Sequence, residues 1–203
     1  MTLPLLLEPE ELNAHLKADR LLIVDLGKES VYLQAHVPGA ILVNGKQLVL
    51  GELPAPGRLP PVERLVDAFS AMGLTPDTHV VVYDDEGGGW AGRFIWTLDA
   101  IGHRHYSYLN GGIHAWLAAS LPIESTPNPA TRTSAVVNLQ QAPVADIDYV
   151  LAHFRDADHV IWDARSAEEF AGTRMLAQRG GHIPGARHYE WTRAMDRANA
   201  LRV

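Results

Sequence analysis

"LLIVDLGKESVYLQAHVPGAILVN" (residues 21–44) reads as one βαβ unit. Leu21–Asp25 is a short apolar run, the mark of a buried strand. Residues 29–35 fit one or two helical turns, Val37-Pro38-Gly39 is a turn, and residues 40–43 form a second strand. The pattern returns in "HVIWDARSAEEFAGTRMLAQRGGHIPGARHYEW" (159–191). Asp25 falls on Asp163, Ser30 lies near Ser166 and Tyr32 near Phe170, and His36-Val37-Pro38-Gly39-Ala40 falls on His182-Ile183-Pro184-Gly185-Ala186. The second copy carries roughly eight extra residues between helix and turn. An aspartate at a strand end can accept hydrogen bonds from the next loop and fix its path. Pro-Gly pairs a fixed φ with a residue free to take positive φ. The histidine before it is placed to hydrogen-bond across the loop.

Outward from this unit, strands and helices alternate. Pro9 suits the start of a helix carrying Leu12 and Leu16. Four prolines and two glycines make residues 51–61 a loop, and Val62, Leu65, Val66, Phe69 and Met72 mark one helix face that Gly73 ends. Val80–Tyr83 is a strand. Trp90, Phe94, Ile95, Leu98 and Ile101 mark the next helix; residues 105–109 form a strand, and Asn110-Gly111-Gly112 turns into a helix bearing Ile113, Trp116 and Leu117. Such alternation implies a mainly parallel sheet covered on both faces. Residues 122–145 hold four prolines with Ser, Thr and Asn, the composition of a linker, with one short extended piece around 136–139. Order resumes where Asp146 caps a helix bearing Ile147, Val150, Leu151 and Phe154, and residues 159–162 are a strand. The expected organisation is therefore a first domain over 1–121, a linker over 122–145, and the N-terminal half of a second domain over 146–203. Half a parallel sheet exposes apolar faces and strand edges, so the natural protein is expected to be longer by roughly 70 residues.

Composition excludes several functions. A net charge of −7, without a local Lys/Arg run, offers no pull on nucleic acid or an anionic membrane. The chain has no cysteine, so it holds no disulfide, thiolate metal site or cysteine nucleophile. No apolar run is long enough for a transmembrane helix, and MTLPLLL (1–7) lacks the basic start and cleavage site of a signal peptide, which makes the cytoplasm the default. His36 and His182 have no partner ligands at metal spacing, and neither a metal nor a cofactor is expected. In "VVVYDDEGGGWAGRFIW" (80–96), Gly87, Gly89 and Gly92 spell G-x-G-x-x-G between strand and helix, the construction of an anion site. Three acids separate the strand from the first glycine and no Gly-Lys-Ser/Thr follows, which argues against a nucleotide site. A structural loop is the expectation.

Aspartate near a strand end, a short helix, then H-[IV]-P-G-A resembles the signature of the rhodanese family. Two copies, with "VVVYDDEGGGWAGRFIWTL" and "YLNGGIHAWLAASLP" at the right distance, resemble the tandem-domain sulfurtransferases. The resemblance implies an α/β protein of two rhodanese-like domains, each a small parallel sheet with helices on both faces, the second incomplete here. It implies a cysteine thiolate in the second domain, stabilised by converging backbone N–H groups at a helix N-terminus, that takes sulfane sulfur from thiosulfate and yields it to cyanide or a thiol. It makes residues 84–92 the first domain's version of that loop, with Asp84 at or next to the cysteine position. Asp85 and Glu86 beside it would repel thiosulfate, so no catalytic residue is assigned within the chain. Carrying the spacing from His36 to Asp84 past His182 places the cysteine at roughly position 230. "WDARS" (162–166) matches the family's second-domain D-x-R motif and makes Arg165 the substrate-binding residue, its guanidinium gripping an oxyanion through two parallel hydrogen bonds. Gly27 stands there in the first copy. Thiosulfate and 3-mercaptopyruvate enzymes share this architecture. A non-catalytic binding or regulatory module is the alternative that a cysteine-free chain favours.

Overall fold

A computed structural model describes residues 3–203. The chain divides into two compact units, residues 1–143 with 197–203, and residues 144–196. In the first unit β1 (Leu6–Leu7), β2 (Leu21–Asp25), β3 (Ile41–Leu42), β4 (His79–Tyr83) and β5 (Tyr106–Leu109) form a five-stranded sheet in the order β1-β5-β4-β2-β3. Every pairing is parallel. The helices are α1 (Pro9–Asn13), α2 (Glu29–Tyr32), α3 (Val62–Met72), α4 (Gly89–Ala100) and α5 (Gly112–Ala118).

The alternation of side chains along β2 and β4 splits the core into two layers. Val24, Val80 and Val82 pack with Leu65, Phe69, Phe94 and Leu98 of α3 and α4. Ile23, Val81 and Tyr83 face the other way, against Leu12 of α1 and Ile113 and Trp116 of α5. Coverage on both faces is why all five residues of β4 are buried and why Val80–Tyr83 is an unbroken apolar run after His79.

One strand was not expected, and two sequence expectations need correction. Leu6 and Leu7 pair with Tyr108 and Leu109 as an edge strand, too short to show a period. The segment after α5 is strapped onto the first unit. Glu124 bridges the backbone of His36, Thr133 N–H donates to Ser70 O (2.9 Å), and Ala135 is buried. The extended piece at 136–139 joins no strand; Asn138 and Gln140 N–H donate to the α4-end carbonyls of Ile101 and Ala100 at 3.1 and 2.8 Å. A Cβ on Gly73, the left-handed residue closing α3, would come within 2.8 Å of Thr131 O in this strap.

The second unit contains α6 (Ile147–His153), β6 (Trp162–Asp163), α7 (Ala167–Ala171) and β7 (Arg187–His188). As expected, Asp146 caps α6 by accepting from Tyr149 N–H (2.8 Å). The expected strand over 159–162 shrinks to Trp162–Asp163 because β7 pairs with only those two residues. The first unit explains this: β3 likewise pairs only with Val24 and Asp25, and β2 owes its five-residue length to β4. The two-strand registers repeat, Asp25 opposite Leu42 and Asp163 opposite His188. Ser166 is the N-cap of α7 in a capping box with Glu169. Its counterpart is Lys28, the N-cap of α2, so Ser30 lies inside a helix and is not its structural equivalent. No helix among the described residues is long and apolar enough to cross a membrane.

Candidate functional site

The glycine-rich loop closes on its own carboxylate. Asp84 directly follows β4 and is 1% exposed. Its Oδ1 accepts from the N–H groups of Glu86, Gly87 and Gly88 at 3.1, 3.0 and 2.8 Å. Its Oδ2 accepts from Trp90 and Ala91, both at 3.0 Å, in the first turn of α4. Positive φ at Gly87 and Gly88 (94° and 103°) turns these amides inward. The result is an anion cradle at a helix N-terminus, formed by five amides and filled by an internal anion. Asp85 is paired with Lys28 (3.3 Å), and burial together with the Asp84 and Asp85 carboxylates holds Glu86 above the usual carboxylate range.

The Gly-Gly motif backs this loop. Gly112 has φ +55°, and a Cβ there would collide with the backbone carbonyl oxygen of Asp84. Gly111, at φ +74°, would place a Cβ 2.5 Å from Ala200 O. His114 Nε2 donates to Asp85 O (2.8 Å). The two stretches that sequence reading treated as separate motifs thus meet at the Asp84 backbone.

The repeated histidines play the same part twice. His36 Nδ1 lies 2.7 Å from Tyr32 O, and His182 Nδ1 lies 2.8 Å from Phe170 O. A carbonyl only accepts, so Nδ1 carries the proton in both rings. Each ring stacks on the aromatic four or twelve residues back, at 3.8 Å for Tyr32–His36 and 3.7 Å for Phe170–His182. The aspartates also match: Gly27 N–H donates to Asp25 Oδ1 (2.7 Å), and Arg165 N–H to Asp163 Oδ1 (3.1 Å).

Asp25 is buried, and desolvation raises its pKa to about 6 despite hydrogen bonds from Tyr83 and Gly27 that favour the charged form. Its folded pKa thus exceeds the unfolded value of 3.8. The neutral acid is the form the fold prefers, so its contribution is full below pH ~4 and is lost as pH rises through ~6. Two pH units correspond to about 3 kcal/mol. Asp25→Asn is expected to abolish this falling component; urea unfolding of both proteins between pH 4 and 7 checks it.

Arg165 lines an open cavity of about 570 Å³ in the second unit with Asp163, Arg179, Gly181 and His182. Its two parallel N–H bonds are already used. Nε donates to Asp163 Oδ1 (2.9 Å) and Nη2 to Asp163 Oδ2 (2.6 Å), with Gly181 O also accepting from Nη2 (2.8 Å). The Arg165 guanidinium in turn holds Asp163 below the usual carboxylate range. The expected bidentate edge therefore faces Asp163, leaving Nη1 as the nitrogen without a hydrogen bond among the described residues. Arg179, which sequence reading passed over, joins Arg165 only through the eight-residue insertion.

A profile described as "Rhodanese-like domain" matches residues 8–119 and 146–202. A thiosulfate sulfurtransferase of Azotobacter vinelandii is 50% identical over 203 residues, covering 100% of this chain and 74% of that protein. One from Pseudomonas aeruginosa is 45% identical over 201 residues, covering 99% of this chain and 74% of its own. The crystal structure of SseA from Escherichia coli, a 3-mercaptopyruvate sulfotransferase, superposes with a TM-score of 0.84 at 26% identity, over 93% of this chain and 76% of that one.

Proposed function

The chain belongs to the rhodanese family, and from that premise we propose that it supplies the silent first repeat and the opening of the catalytic repeat of a thiosulfate sulfurtransferase. The observation that carries this reading is the cradle around Asp84. The same arrangement of strand end, glycine-rich loop and helix N-terminus stabilises a thiolate when cysteine replaces the carboxylate. In the first repeat the cradle is already filled by Asp84, and the chain has no cysteine. The nucleophile then belongs to the second repeat, in a loop following Val203 at roughly position 230.

In this account the thiolate attacks the sulfane sulfur of thiosulfate. A cysteine–sulfur bond forms, the sulfur–sulfur bond of thiosulfate breaks, and sulfite leaves with the bonding pair. Cyanide or a thiol then takes the outer sulfur and restores the thiolate, a double displacement in the cytoplasm without a cofactor. Thiosulfate is favoured over 3-mercaptopyruvate because the relatives at 45–50% identity bear that name. Arg165 is the proposed anion contact, offering Nη1 or exchanging its Asp163 partner for the substrate oxyanion, with Arg179 across the same cavity.

Residues 1–203 alone are expected to show no thiosulfate:cyanide turnover above the uncatalysed rate. The complete gene product is expected to turn over and to lose all turnover on Cys→Ala near position 230. Steady-state thiocyanate formation measures both. Retained turnover in that variant overturns the assignment. The lack of cysteine in residues 1–203 favours the second reading, a binding module, if the gene supplies no such loop.

A further inference from the structure

No metal ligands are expected from the sequence, yet the second unit brings together His153, Asp156 and His159. His153 ends α6, and two successive turns follow: Asp156 N–H donates to His153 O (3.0 Å) and His159 N–H to Asp156 O (3.2 Å). The chain folds so that residues at H-x₂-D-x₂-H spacing share one side. His153 Nδ1 is 2.8 Å and His159 Nδ1 is 4.0 Å from Asp156 Oδ2. The two imidazoles stack at 4.7 Å with planes 10° apart. One ligand atom from each of His153, Asp156 and His159 lies within 4.8 Å of the others.

We propose that His153, Asp156 and His159 bind a divalent late first-row transition metal of the Zn²⁺ type. Two imidazole nitrogens and one carboxylate oxygen suit Zn²⁺, Cu²⁺ or Ni²⁺ and not Mg²⁺ or Ca²⁺, which take oxygen-only shells. Metal–ligand bonds of about 2.0–2.1 Å require ligand separations of roughly 3.3 Å. The ligand atoms already lie within 4.8 Å of one another, which leaves about 1.5 Å of closing to partly exposed side chains that are free to turn; they are 38%, 44% and 30% exposed, which also leaves an entry path. His159 has an oriented partner on each ring nitrogen. Asp158 Oδ1 lies 2.9 Å from Nδ1 and the Tyr149 hydroxyl 2.9 Å from Nε2. Whichever nitrogen takes the metal, the other keeps a hydrogen bond that fixes the ring. The chain contains no thiol to compete for the ion. The bound ion would tie the end of α6 to the approach to β6, within the second unit alone and independent of the sulfur chemistry.

The test is calorimetric titration of residues 1–203 with ZnCl₂, and with CoCl₂ followed by visible absorption. One saturable site per chain is expected, with His-type Co²⁺ d–d bands. His153→Ala and His159→Ala are each expected to weaken affinity at least tenfold, and His15→Ala, far along the chain, to leave it unchanged. Asp156→Asn keeps the side-chain shape and both imidazoles and is expected to weaken uptake comparably, which separates loss of a ligand from any disturbance of the turn by a histidine change. Absence of a saturable site, or uptake that survives both His159→Ala and Asp156→Asn, overturns the proposal.

Discussion

Asp84→Ala is expected to destabilise the first unit by about 4 kcal/mol, among the larger losses for one substitution. The change removes one acceptor and strands five converging amides, those of Glu86, Gly87, Gly88, Trp90 and Ala91. An unsatisfied buried donor costs about 1–3 kcal/mol; only the Ala91 amide is buried and the other four are part-buried, so water entering the vacated space recovers much of the sum. Two readouts make the result specific. Hydrogen exchange at Trp90 and Ala91 is expected to accelerate ahead of global unfolding. Formate, a small carboxylate able to occupy the emptied cradle, is expected to restore part of the stability by mass action, whereas chloride at equal ionic strength is not. Asp84→Asn is expected to fall between: its oxygen can still satisfy Glu86, Gly87 and Gly88, but its amino group then points at Trp90 and Ala91 N–H. A loss below about 1 kcal/mol for the alanine variant would mean that the loop is held by something other than this carboxylate.

The second large effect comes from the residue behind the cradle. Gly112→Ala is expected to cost about 3–5 kcal/mol or to abolish soluble expression. Alanine at φ +55° costs about 1 kcal/mol by itself. The larger part comes from the Cβ colliding with Asp84 carbonyl oxygen, a backbone atom that cannot swing aside. Relief would require α5 to shift away from the loop, disturbing fully buried Ile113 and Trp116. Gly92→Ala is the control of opposite sign. Gly92 lies within α4 with nothing within 4 Å of its would-be Cβ, so alanine there is expected to stabilise by about 0.5–1 kcal/mol. Urea midpoints of the three proteins decide the point; equal midpoints for Gly112→Ala and Gly92→Ala would remove the close-approach argument.

The sheet was legible wherever it is buried on both faces. Leu21–Asp25 and Val80–Tyr83 stand out as apolar runs because helices cover both sides. The repeat was legible through residues with a fixed local role, since Asp25 and Asp163 hold the next loop while His36 and His182 donate to the Tyr32 and Phe170 carbonyls. The alignment slipped at Ser30, where no such role constrains the residue; capping identifies Lys28 as the counterpart of Ser166. Leu6–Leu7 escaped because two residues carry no period, and the strap at 122–143 because its bonds run to the His36 loop and to groups near helix ends rather than along a neighbouring strand. The cradle was only half legible. Strand, glycines and helix were visible, but the binding groups are backbone amides without a side-chain signature. Arg165 shows the reverse limit: D-x-R displays both charges, but only the geometry reveals that the guanidinium first pairs with Asp163 two residues before it.

The central claim is a division of labour, with a filled cradle in the first repeat and a reactive one in the second. It is tested most directly by incubating the complete gene product with thiosulfate and locating the transferred sulfur by peptide mass spectrometry. The expected result is one added sulfur atom on a cysteine at roughly position 230, removed by cyanide, and none on any peptide from residues 1–203. Sulfur bound within residues 1–203, or turnover without sulfur on that cysteine, would contradict the account.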